Sequence, residues 1–73
     1  MDANVENKVK QLMTNLLTMS VGSWASIIVD HIFNDVVDEM EHTMGEDISE
    51  DDVTMESVQS RMGKVLERIT YGF

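Results

Sequence analysis

The sequence predicts an all-α protein, a small three-helix bundle with a long central helix, on three observations. Apolar residues recur at spacings of three and four in three separate stretches. Pro is absent, so nothing in the chain breaks a helix by ring geometry. Gly is confined to Gly22, Gly45, Gly63 and Gly72, and all but Gly63 stand where a helix should begin or end. The expectation is one helical domain over residues 1–73, with helices at about 4–18, 23–44 and 50–70, the third starting at Glu50 or Met55. A chain of this size buries only about 60% of its unfolded surface, so its core is small. Cys is absent, which excludes disulfides and thiolate zinc sites and leaves helix packing or self-association to supply stability.

The first helix carries Val5, Val9, Leu12, Leu16 and Met19 on one stripe, widened by Met13 and Leu17. Lys8 and Lys10 are expected on the opposite, solvated side, with Glu6 and Lys10 an i,i+4 pair. The short break Met19-Ser20-Val21-Gly22-Ser23 makes the first two helices antiparallel neighbours or sets them at a corner, and Ser23 is the candidate N-cap for the next helix.

The central helix, Ser23 to Gly45, is both the most apolar and the most acidic part of the chain. Val29, Ile32, Phe33, Val36, Val37, Met40 and Met44 form a broad core face, whereas Trp24, Ile27 and Ile28 point partly away from it. A small monomer cannot easily cover that second patch. A homodimer through Trp24, Ile27 and Ile28 is the expectation; a cap formed by the C-terminal Tyr71 and Phe73 is the alternative. Gly45 reads as the C-terminal stop of this helix.

Beyond Gly45, Ile48 is the single apolar anchor of an acidic loop in which Ser49 and Asp52 carry a capping signal. That loop lacks the ligand order and central Gly of a calcium-binding EF-hand. The third helix places Met55, Val58, Met62, Val65, Leu66 and Ile69 on a tight stripe. Gly63 beside the stripe is expected to mark the close approach of another helix.

Charge narrows function more than any motif does. The net charge is -9, and residues 20–52 hold ten carboxylates with no Lys or Arg. Such a field repels nucleic acid and anionic lipid and attracts basic surfaces. The expected partner-binding face comprises Asp30, Asp35, Asp38, Glu39, Glu41, Glu46, Asp47, Asp51 and Asp52, with Trp24, Ile27, Ile28, Tyr71 and Phe73 as apolar contacts for an oligomer or partner. Direct nucleic-acid and membrane binding are not expected, because basic residues are few and no stretch reads as apolar over the roughly eighteen residues a bilayer crossing needs. The N-terminus, with Asp2 and Glu6, does not resemble a signal peptide, which leads to an expected location in the cytoplasm, or a host's cytoplasm.

Catalysis is not expected either, since no nucleophile has a base in register and no Gly-rich loop follows a strand. His31, Asp35, Asp38 and His42 fall at spacings of four, three and four, the only arrangement with divalent-ion chemistry. No matching ligand pair stands on a second helix, so neither metal nor cofactor is expected. What remains is a non-catalytic acidic interaction module, of the kind by which phage inhibitors and antirestriction-type proteins resemble nucleic acid in charge. A self-assembling structural or accessory subunit, acidic only for solubility, is the alternative.

Gly22-Ser23-Trp24 opening an acidic helix, and Ile48-Ser49-Glu50-Asp51-Asp52 ahead of the Val58-to-Ile69 helix, resemble the layout of acyl carrier proteins. Gly22 and Trp24 stand where that family has an Asp and a Leu around its cofactor-bearing Ser, and the first loop is shorter. The resemblance would imply a phosphopantetheine group on Ser23 and stands as a minor alternative.

Overall fold

The computed structural model describes residues 1–71, Tyr71 by its backbone alone, and every regular element among them is helical. Helix α1 spans Ala3–Val21, α2 spans Ala25–Met44 and α3 spans Met55–Tyr71; 3-10 turns occupy Gly22–Trp24 and Glu50–Asp52.

Asp2 starts α1 from an extended conformation, its Oδ1 accepting the Val5 N–H at 3.0 Å. The helix outlasts the expected 4–18 because Met19, Ser20 and Val21 contain no helix breaker. Gly22 ends it: at φ +59 it takes a conformation that L side chains resist, and its N–H bonds to the Thr18 carbonyl. Val5, Val9, Met13 and Leu17 are the buried line of α1, while Leu12 and Leu16 are half-buried. The expected stripe through Leu12, Leu16 and Met19 is therefore corrected, and Met19 is 83% exposed. Both lines begin at Val5 and Val9, and the helix packs along the i,i+4 ridge, which inclines to the axis opposite to the i,i+3 row.

Ser23 does not cap the central helix. Trp24 holds the cap position in helical geometry without a side-chain bond, and the 3-10 turn passes directly into Ala25, whose N–H bonds to the Gly22 carbonyl. Winding thus runs almost unbroken from Ala3 to Met44, with the reversal concentrated at Val21 and Gly22. The two helices lie antiparallel: the Met1 amino nitrogen is 3.5 Å from Glu41 Oε1, and Lys10 Nζ is 3.9 Å from Asp30 Oδ1.

Val29, Ile32, Val36, Val37 and Met40 are buried as expected, Phe33 and Met44 are half-buried, and Ala25 joins the core one turn before Val29. Gly45 stops α2 with φ +87 and an N–H bond to the Glu41 carbonyl at 2.9 Å. Ile48 and Val53 carry the connection into the core. Between them, Asp52 Oδ2 accepts from the Ser49 backbone N–H at 3.2 Å and from Ser49 Oγ at 3.1 Å, so the anticipated capping signal closes its own short turn.

Helix α3 consequently starts at Met55, the later of the two starts the sequence allows. Its N-terminus is held by a reciprocal pair that the sequence reading missed: Ser57 N–H donates to Thr54 Oγ1 at 3.1 Å and Thr54 N–H donates to Ser57 Oγ at 3.0 Å. Val58, Met62 and Val65 are buried, whereas Met55, Leu66 and Ile69 are 44%, 37% and 40% exposed, so the expected stripe is only half used. Gly63 is a second correction. A Cβ there would meet nothing within 4 Å, so among the described residues no helix approaches it.

All three α-helices contact one another around a single cluster that runs from Val5 to Val65. Arg61 reaches Thr43 and Arg68 reaches Glu39, which sets α3 back along the second half of α2.

Candidate protein-interaction surface

Two regions of α2 separate once the helix is placed. Its second half and the following loop carry the acidity; its start, with the end of α1, forms an uncharged corner.

The nine carboxylates of the expected acidic face do not behave alike. Asp35, Asp38, Glu46, Asp47 and Asp51 are exposed and form no ion pair among the described residues. Asp30 is exposed and faces Lys10, a solvated pair worth about 0–1 kcal/mol. Asp52 is committed to Ser49, and Glu41 is half-buried beside the Met1 amino group.

Glu39 does not belong on that face. It is buried at 7% exposure and accepts a hydrogen bond from Arg68 Nη2 of α3. The Arg68 bond is the largest influence holding its carboxyl below the ordinary range. Burial opposes that shift, and the charges of Arg68, Lys64 and His42 reinforce it. The signal was present in the spacing, since Ile32, Val36 and Glu39 are separated by four and three, which places Glu39 on the apolar stripe itself.

The cations explain why the surface keeps its charge. Of the five Lys and Arg, Lys10 faces Asp30 and Arg68 holds Glu39. Lys8 is half-buried rather than exposed and donates to the Glu50 carbonyl at 2.6 Å. Arg61 donates from Nε and Nη2 to Thr43 Oγ1 at 3.2 and 3.1 Å. Only Lys64 has no such commitment among the described residues, and it sits on α3, away from the acidic loop in sequence.

At the corner, Trp24 and Ile27 are 66% and 51% exposed, as expected of contact residues, but Ile28 is half-buried against the core. Met19 at 83% and Val21 at 36% extend the patch onto α1, an addition the sequence reading did not make. Phe73 and the Tyr71 side chain, the other two expected contacts, lie outside the described residues. From Gln11 to Val29 there is no Asp, Glu, Lys or Arg. The expectation that no stretch has the length and apolarity of a membrane span is corrected on this point. The Ala3–Met44 run contains an 18-residue window of mean hydropathy 1.4, of which 22% is buried. Soluble core helices and signal sequences meet the same measure.

His31, Asp35, Asp38 and His42 all face solvent on α2, and among the described residues no three His, Asp or Glu side chains gather as a metal site. An open depression at the start of α3 is lined by Thr54, Glu56, Ser57, Ser60 and Arg61. Its Thr54 and Ser57 hydroxyls are used in capping and its Arg61 in holding Thr43. Ser23, the residue of the carrier-protein resemblance, is exposed in the corner turn beside Trp24.

Compared with known proteins, the chain matches no family model, and no curated protein or solved structure is significantly similar to it.

Proposed function

We propose that this chain is a non-catalytic acidic interaction module, a three-helix bundle whose exposed carboxylates engage a basic surface of a larger protein, as an inhibitor or nucleic-acid mimic does. The observation that carries this reading is the commitment of the cations to partners within the chain. Four of five are engaged within the fold, and Asp35, Asp38, Glu46, Asp47 and Asp51 are left unneutralised from the end of α2 into the loop. If charge served only to keep the molecule dispersed, any distribution would suffice; here it is concentrated over residues 30–52. The reading takes the protein to act in a cytoplasm, its own or a host's, with no cofactor, no membrane and no direct nucleic-acid contact.

The test is affinity capture from a native lysate with the wild-type chain and with an Asp35→Asn, Asp38→Asn, Asp47→Asn variant. The expected outcome is a basic partner that the wild type retains at low ionic strength and the variant loses, while helical circular dichroism stays the same. Equal retention by both chains would refute the electrostatic reading. These three positions are exposed, whereas amidation of Glu39 would disturb the core and confuse the result.

A self-assembling accessory subunit is the second reading, favoured by the exposure of Trp24 and Ile27. The carrier-protein alternative rests on the layout of Gly22-Ser23-Trp24 and Ile48 to Asp52, with Ser23 as the residue to be modified. Intact-mass measurement of the natively expressed chain decides it, since a phosphopantetheine adduct on Ser23 is the outcome that reading requires.

A further inference from the structure

We infer that the uncharged corner between α1 and α2 is a contact for a second copy of this chain, and that it joins two molecules end to end with their acidic ends facing outward. The surface is made by Met19, Val21, Trp24 and Ile27, four exposed apolar side chains around the Gly22 turn. The polar residues among them, Ser20, Ser23 and Ser26, carry no charge.

Charge selects the occupant. Two chains of net charge -9 repel wherever carboxylates meet, so only a surface without them can bring two copies together. The nearest carboxylate to the corner along the chain is Asp30, which faces Lys10. The next carboxylate on α2, Asp35, lies about 12 Å along the helix from Ile27 at the 1.5 Å helical rise, beyond the screening length of about 8 Å at physiological ionic strength. A side-by-side arrangement through the outer face of α2 would instead press Asp35 and Asp38 against their counterparts.

Area fixes the strength. Four such side chains present on the order of 500 Å² per copy, so a pair buries about 1,000 Å², near the lower bound for a specific interface. The contact is therefore weak and concentration-dependent. Trp24 is its anchor, being the largest side chain in the patch and two-thirds exposed.

The consequence deepens the acidic-module reading and rests on it. An end-to-end pair is two-headed, with acidic surfaces separated by nearly twice the 31 Å long dimension of one copy, so it bridges two basic sites and does not enlarge one acidic face.

The experiment uses the full chain, as wild type and as a Trp24→Ser, Ile27→Ser variant. Both positions are exposed, and unchanged helical circular dichroism verifies that the variant folds. Sedimentation velocity across a concentration series is expected to show a monomer–dimer equilibrium for the wild type and at least a tenfold weaker one for the variant. X-ray scattering is expected to give a dimer close to twice as long as the monomer. An Asp35→Asn, Asp38→Asn variant is expected to dimerise as the wild type does. A monomer at every concentration overturns the inference, as does a dimer no longer than the monomer, or one that the Asn variant strengthens. Flotation with phosphatidylcholine vesicles is the remaining arm: a wild-type chain that binds them and stays monomeric assigns the corner to lipid and also overturns the inference. Binding to poly-L-lysine, followed in parallel, reports on the acidic end. Its absence with dimerisation intact would remove the acidic-module reading alone, and its persistence in a wild-type chain that stays monomeric would remove the inference alone.

Discussion

The corner at Met19–Ile27 and the acidic segment from Asp35 to Asp52 flank α2, one around its start and the other from its middle into the loop beyond it, and they solve the problem of a small core in opposite ways. At the acidic end, side chains reach across elements: Arg68 to Glu39, Arg61 to Thr43, Lys8 to the Glu50 carbonyl, and Ile48 and Val53 into the core. At the corner, three residues of 3-10 turn pass directly from one helix to the next, with no side-chain cap, and large apolar groups remain in water. Fold stability should therefore respond to the acidic end and the core beneath it, and hardly at all to the corner.

The sharpest way to break this comparison is to cut equally apolar side chains from the two regions. Met40→Ala removes a fully buried side chain from the middle of the core and should cost about 2–5 kcal/mol, enough to unfold much of a domain this small. Ile27→Ala, at the corner, should change stability by no more than about 0.5 kcal/mol. Urea denaturation of the two variants measures both. A costly Ile27→Ala would show that the corner is built into the fold and not held in reserve.

Acidification addresses the acidic end. The folded Glu39 carboxyl is held below its ordinary value by Arg68, so its contribution is present above the unfolded value of 4.5 and is lost as pH falls through the folded one. Melting temperature should fall as pH drops below about 4.5, and a Glu39→Gln variant, less stable at neutral pH, should lose less over the same range. Parallel slopes in wild type and variant would show that this pair does not govern the acid limb.

Smaller effects follow at α3. Thr54→Ala removes one half of the reciprocal cap and should cost about 1 kcal/mol by chemical denaturation. Gly63→Ala should stabilise by about 0.5–1 kcal/mol, since the new methyl meets open space within a helix. A destabilised Gly63→Ala would restore the close helix approach that the spacing first implied.

Much of this fold was legible because helical periodicity and the Gly positions report local physics. The three helices, the Gly45 stop and the burial of Val29, Ile32, Val36, Val37 and Met40 followed from residue spacing, whereas the Ser49–Asp52 capping signal closes a short turn of its own instead of opening α3. What was not legible depends on which neighbours a helix meets. Both the Leu12-Leu16-Met19 line and the Met13-Leu17 line fit a helical stripe starting from Val5 and Val9, and only the tilt of α1 against its partners selects the second. Gly63 read as a contact because composition cannot say whether a missing side chain faces a helix or water. Glu39 was counted with its acidic neighbours, although its interval of seven from Ile32 placed it on the buried stripe; Arg68, 29 residues away, makes that burial tolerable. The apolarity of Gln11–Val29 was underestimated because two amphipathic helices meet there, and their uncharged ends run together across the turn.

The central claim is that the two ends of the molecule are divided in task, the corner self-associating and the carboxylates kept free for a basic partner. Its most direct test is the dimer dissociation constant of the full chain, measured by sedimentation equilibrium between about 50 mM and about 500 mM salt. The account predicts a dimer that holds as salt rises, because the contact is apolar and no carboxylates meet across it. A dimer that dissociates as salt rises would place charge pairing inside the contact and contradict the division.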